Sequence, residues 1–155
     1  MDELQAMHGS VRRFLKSPPY YPCLLIAHPD IGRLASVADE LASAYGWPRL
    51  PVGKPLSEAL LCEPPSRYSV ASQRWLYAQA TLLSPGPALC TEIDLLFEPE
   101  LRLDPLALLR QASRISTLVV IWPGGVDGDV VNYAVPGHTR YRAWREPEVA
   151  IYSLS

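Results

Sequence analysis

Apolar residues along this chain follow two periods that take turns. Residues 22–26 and 117–122 are continuous apolar runs, the pattern of strands buried on both faces of a parallel sheet. Residues 50–52, 88–96, 130–134 and 149–154 read as further strands. Between them the spacing turns helical. Leu34, Val37, Ala38, Leu41 and Tyr45 lie on one stripe of a helix over 32–45, and Gly46 is its stop signal. Asp104 and Pro105 start a helix with an N-cap acceptor and a first-turn proline, and Leu106, Leu109 and Ala112 form its inward stripe. A helix over 2–16 uses Leu4, Val11, Phe14 and Leu15, is weakened by Gly9 and is ended by Pro18 and Pro19. A helical turn is predicted over 57–61, and a longer helix over 66–83 with Val70, Trp75, Leu76, Ala80 and Leu83 available to pack. Strands alternating with helices predict an α/β fold with a mainly parallel central sheet.

The length of 155 residues suits one domain, with an N-terminal helix over 1–17 and a core over 18–155. Apolar residues at 48% and charged residues at 19% exclude a disordered chain. The net charge of −2 argues against a nucleic-acid binder, unless Arg12, Arg13 and Lys16 converge with Arg140, Arg142 and Arg145 on one face. No apolar run reaches the roughly 20 residues that span a bilayer, and no signal peptide is visible, so the expected location is the cytoplasm, off the membrane. Cys23, Cys62 and Cys90 read as buried thiols of a reducing compartment. His8, His28 and His138 have no ligand-like spacing, so no metal site is expected.

The connection after the first strand brings in candidate chemistry. Laid on the phosphate-binding template G-x-x-x-x-G-K-[S/T], the chain reads Ala27-His28-Pro29-Asp30-Ile31-Gly32-Arg33-Leu34. The second glycine survives as Gly32. The lysine is Arg33, which keeps a cation for a phosphate, and Leu34 replaces the hydroxyl that would hold Mg²⁺. An NTPase also needs an acidic strand end. Glu92 and Asp94 alternate with apolar neighbours in the 88–96 run and would point to one side, either as a small acidic site or as polar positions at a strand end. His28, Asp30, Gly32, Arg33, Glu92 and Asp94 are therefore the candidate nucleotide-binding residues, with ATP and Mg²⁺ as the candidate ligand. Trp122-Pro123-Gly124-Gly125 occupies the segment where an ATPase senses the γ-phosphate, but Pro123 has no group for that task, and the two glycines suit a turn. Arg110 and Arg114 are either phosphate fingers or, more simply, cations complementing a helix C-terminus. No nucleophile with a neighbouring histidine stands out, so no catalytic residue is assigned.

The C-terminal half carries a more specific pattern. It runs Leu95-Leu96-Phe97-Glu98-Pro99-Glu100-Leu101, Leu103-Asp104-Pro105-Leu106 and Ala112-Ser113-Arg114, then Val119-Val120-Ile121-Trp122-Pro123-Gly124. Tyr133-Ala134-Val135-Pro136-Gly137-His138 and Tyr141-Arg142 complete it. This order and spacing, from about Ile93 onward, resembles the BrxF family, small P-loop proteins of type 3 BREX bacteriophage-exclusion systems; the strand, loop and helix of 22–45 resemble it more weakly. The resemblance implies a three-layer P-loop NTPase-like fold. It also implies a place in bacterial anti-phage defence beside a large ATPase, a DNA methyltransferase, a phosphatase-like protein and a helicase. The chain departs from the family's intact loop at Ala27, Ile31 and Leu34, and Thr91 stands where the metal-binding Asp of the acidic strand would fall.

The resulting expectation is a P-loop-fold subunit with a degenerate nucleotide site that binds partner proteins and is not an enzyme. Tyr133, Tyr141 and Trp144, interleaved with arginines, are either its partner surface or core and rim. The alternatives are a weak Mg²⁺-dependent NTPase using Arg33 with Glu92 or Asp94, and a DNA-binding accessory module; a homo-oligomer is compatible with each.

Overall fold

The structure, a computed structural model, describes residues 2–133 and 142–155. The described residues hold five α-helices, α1 (Glu3–Lys16), α2 (Ile31–Tyr45), α3 (Gly53–Leu60), α4 (Tyr68–Leu83) and α5 (Pro105–Ser113), and eight strands. Strands β1 (Cys23–His28), β2 (Arg49–Pro51), β3 (Ala88–Thr91), β4 (Leu118–Pro123) and β8 (Ala150–Ser153) form a five-stranded sheet in the order β2-β3-β4-β1-β8. Every pairing in it is parallel. Strands β5 (Val126–Asp127), β6 (Val130–Tyr133) and β7 (Arg142–Arg145) form a separate antiparallel sheet.

Alternate residues of the central strands feed two cores, as the period of two requires. Leu24 and Ile26 of β1, with Val119 and Ile121 of β4, pack under α1 and α2. Cys23, Leu25 and Ala27, with Leu118, Val120 and Trp122, pack under α3, α4 and α5. The molecule is thus a three-layer α/β sandwich around a parallel sheet. Both long strands are buried along nearly their whole length, which explains why they read as unbroken apolar runs.

The local signals act as expected. Gly46 ends α2 in the left-handed region (φ +67°), where its N–H donates to the Ala42 carbonyl. Asp104 caps α5 by accepting from the Ala107 N–H at 3.2 Å. In α2 the predicted Leu34, Val37, Ala38 and Leu41 are the buried residues.

Several predicted features differ. Strand β3 stops at Thr91, and residues Ile93–Phe97 form a 3-10 turn rather than more strand, so Glu92 and Asp94 do not alternate along an extended segment. In α1 it is Met7, Val11 and Phe14 that are buried, while Leu4 is 43% exposed. Met7 closes the i, i+4, i+7 stripe that Leu4 misses. In α4 the predicted Leu76 and Ala80 are buried, but Val70 is exposed and Ser72 faces inward in its place. Cys62 is exposed in the turn after α3, whereas Cys23 and Cys90 are buried. No helix among the described residues is long and apolar enough to cross a membrane.

Candidate functional site

Chain connectivity selects one place for a site. From β1 the chain crosses to one side of the sheet, to β2 at that edge; after β4 it crosses to the other side, to β8. Connections diverging from adjacent β1 and β4 leave a crevice beyond their carboxyl ends, where ligands bind in open α/β sheets. Two hollows flank the first turn of α2 at this end.

Strand β1 continues through Ala27 and His28, which pair with Trp122 and Pro123 of β4. Only Pro29 and Asp30 separate it from α2. This connection is too short to wrap a phosphate in backbone N–H groups. Its polar groups are used locally. The Asp30 N–H donates to His28 Nδ1 at 2.9 Å. The Asp30 carboxylate accepts from the N–H of Gly32 at 2.9 Å and of Arg33 at 3.4 Å. An anion thus already lies at the positive end of the α2 dipole, and it belongs to the chain.

Arg33 is also engaged. Its Nη2 donates to Glu3 Oε1 of α1 at 3.3 Å, and its Nε is buried with no hydrogen-bond partner. Glu3 accepts as well from the Tyr152 hydroxyl at 2.9 Å and the Ser155 N–H at 2.5 Å, so one carboxylate joins α1, α2 and the segment after β8. The Ser155 N–H, then the Tyr152 hydroxyl, hold the Glu3 carboxyl below its usual range, with Arg33 adding less. Desolvation, then Glu3 itself, raises the Tyr152 phenol. Glu3 and Arg33 line a hollow of about 620 Å³ between α1 and α2, with Asp30, Gly32 and Leu154 among its other walls.

The second hollow is a cleft of about 400 Å³ on the other side of the α2 first turn. Its walls are Ile31, Leu34 and Ala35 of α2 and Pro51 of β2, with Ile93 and Ile121 among the lining. Glu92 and Asp94 stand at its mouth, both exposed. Glu92 holds a left-handed backbone (φ +55°), an uncommon conformation for a residue with a side chain. Asp94 accepts from the Tyr133 hydroxyl at 3.0 Å, and the Tyr133 ring stacks on Phe97 at 3.7 Å between centroids. At the far end Arg49 pairs with Asp39 at 2.5 Å.

The six sequence-predicted residues are therefore divided. Asp30, Gly32 and Arg33 line the hollow against α1; Glu92 and Asp94 line the cleft; His28 lines neither and braces the connection. The 122–125 segment is structural. Trp122 Nε1 donates to the Asn132 carbonyl at 2.7 Å, and the Gly125 N–H donates to Asn132 Oδ1 at 3.0 Å, pinning the small sheet to β4. Gly124 is needed there, since a Cβ would lie 1.8 Å from the Asn132 carbonyl oxygen. Arg110 donates to the Pro147 carbonyl and Arg114 to the Tyr20 carbonyl, in the segments before β8 and β1, at the opposite end of the sheet from the cleft. Tyr133 is core, and the half-buried Trp144 packs on Phe97 and Trp122. Arg142 donates to the Leu103 carbonyl. Ala134, His138, Arg140 and Tyr141 lie outside the described residues.

Sequence reasoning missed Glu3, Ile31, Asp39 and Arg49. Glu3 meets Arg33 across thirty positions of chain, which no spacing rule connects. Ile31 read only as a replaced position of the phosphate-binding template, yet it is 68% exposed at the cleft. Comparison with family models, with curated proteins and with solved structures finds no match to this chain.

Proposed function

We propose that this protein is a binding subunit, a P-loop-like domain that has kept the frame of a nucleotide site and filled its phosphate position with its own side chains. One observation carries the reading: the Asp30 carboxylate occupies the α2 N-terminus while Arg33, the nearest equivalent of the phosphate-binding lysine, is held by Glu3. An incoming phosphate must displace one carboxylate and separate the other from its arginine. Leu34 supplies no hydroxyl for Mg²⁺, and it is buried. A connection after a central strand, with an acidic segment after its second neighbour, is the layout expected of P-loop ancestry.

The biological setting follows from the resemblance of the 93–155 region to the BrxF family: an accessory subunit of a type 3 BREX-like anti-phage complex, docking on its large ATPase, methyltransferase or phosphatase-like protein. Titrating Mg²⁺-ATP calorimetrically into the purified protein tests the site, and the expected result is no heat. Micromolar binding would overturn the reading in favour of a weak NTPase. Deleting the gene from its host and plating phage tests the setting. Plating efficiency is expected to rise, and an unchanged efficiency argues against a role in defence.

A further inference from the structure

The cleft is the feature that the carboxylate-filled phosphate position leaves unexplained. Its volume of about 400 Å³ falls inside the ~300–1,000 Å³ range of ligand pockets. Its walls are apolar, and Ile31 at the rim leaves a large aliphatic side chain in water. Its charge is unbalanced: Arg49 is taken by Asp39, and among the described residues no cation pairs with Glu92 or Asp94. Neither of those carboxylates caps a helix. Glu92 stands at the mouth despite a backbone conformation that favours glycine or asparagine.

We infer that this cleft receives an arginine side chain, with an adjoining apolar residue, presented by a partner protein. A guanidinium is planar and weakly hydrated, so it can lie along the apolar wall while its fork of N–H groups reaches the carboxylates. The apolar neighbour would cover Ile31. The inference rests on the binding-subunit reading and names the surface and the chemistry of the partner.

The test is a titration of the isotopically labelled protein with a capped pentapeptide, Gly-Leu-Arg-Leu-Gly, followed through backbone amide shifts. A second peptide carries citrulline, the neutral isostere, in place of arginine. The arginine peptide is expected to shift Ile31, Ala35, Glu92, Ile93 and Asp94, and the citrulline peptide to bind at least about tenfold more weakly. The exposed pair Glu92→Gln and Asp94→Asn should lose affinity by a similar factor and leave the β1 and β4 amides in place. Equal binding of the two peptides, shifts confined to other surfaces, or no shifts would overturn the inference. So would concentration-dependent shifts at the cleft without peptide, which would make the occupant a second copy of the chain. Mg²⁺-ATP in the same experiment separates the two claims: shifts at Gly32 and Arg33 would overturn the binding-subunit reading, while the peptide results judge the cleft.

Discussion

Replacing Asp30 measures how firmly the chain's own carboxylate holds the α2 N-terminus. Asp30→Ala removes the acceptor for the Gly32 and Arg33 N–H groups and the charge facing the helix dipole. Loss of an N-cap costs about 1 kcal/mol, and the charge adds about 0.3 kcal/mol at an exposed site. The expected loss is therefore about 1.3 kcal/mol, or a fall of roughly 3–5 °C in Tm for a domain of this size. Asp30→Asn keeps an acceptor and should lose only a few tenths of a kcal/mol. Urea unfolding reads the change as a shift of midpoint at constant slope. The second half of the experiment repeats the curves in inorganic phosphate. With the carboxylate gone, the freed N–H groups become an anion site, and phosphate at about ten times its Kd restores about 1.4 kcal/mol to the Ala variant. The native chain should gain nothing comparable. If the Ala variant is as stable as the native chain, or if phosphate stabilises both equally, the carboxylate does not occupy the phosphate position and the central claim about this site fails.

Three other expectations follow from the same structure. Gly124→Ala places a Cβ 1.8 Å from the Asn132 carbonyl oxygen and must push β6 from β4, so unfolding should show a loss of about 3 kcal/mol; a change below about 1 kcal/mol would mean the small sheet is held elsewhere. A thiol reagent at mildly alkaline pH should modify Cys62 alone in the native protein and all three cysteines after denaturation, because burial pushes the Cys90 thiol up to about 12 and raises Cys23 as well. Glu3 has a folded pKa below its unfolded value, so its stabilising effect is complete above the unfolded value near 4.5 and is lost as pH falls through the lowered folded one. The stability gap between native protein and Glu3→Gln should thus be constant at neutral pH and close in acid, and a gap independent of pH would contradict the hydrogen bonds at Glu3.

What the sequence determined by itself was everything that depends on neighbours along the chain. The apolar runs of β1 and β4, the stripe from Leu34 to Leu41, the Gly46 stop and the Asp104 cap are settled within one or two turns, and each is where the pattern put it. Alternation of strand and helix then leads to a layered parallel sheet, because a short right-handed crossover leaves few other packings. The candidate residues also share one end of the sheet, since the carboxyl ends of parallel strands all face one way.

Only the tertiary structure decided what those residues do there. Strand β1 runs two residues further than its apolar core, because Ala27 and His28 find partners in β4 on one side and Ala27 finds one in β8 on the other; the loop shrinks accordingly to Pro29 and Asp30. Arg33 turns to Glu3, thirty positions away, and Asp94 to Tyr133, nearly forty positions away. A side chain's partner is set by which elements the fold brings within a few ångströms of it, and no periodicity records that distance. The same physics separates Glu92 and Asp94 from Arg33, placing them on opposite sides of the first turn of α2, so a set of residues that reads in sequence as one nucleotide site becomes two distinct surfaces.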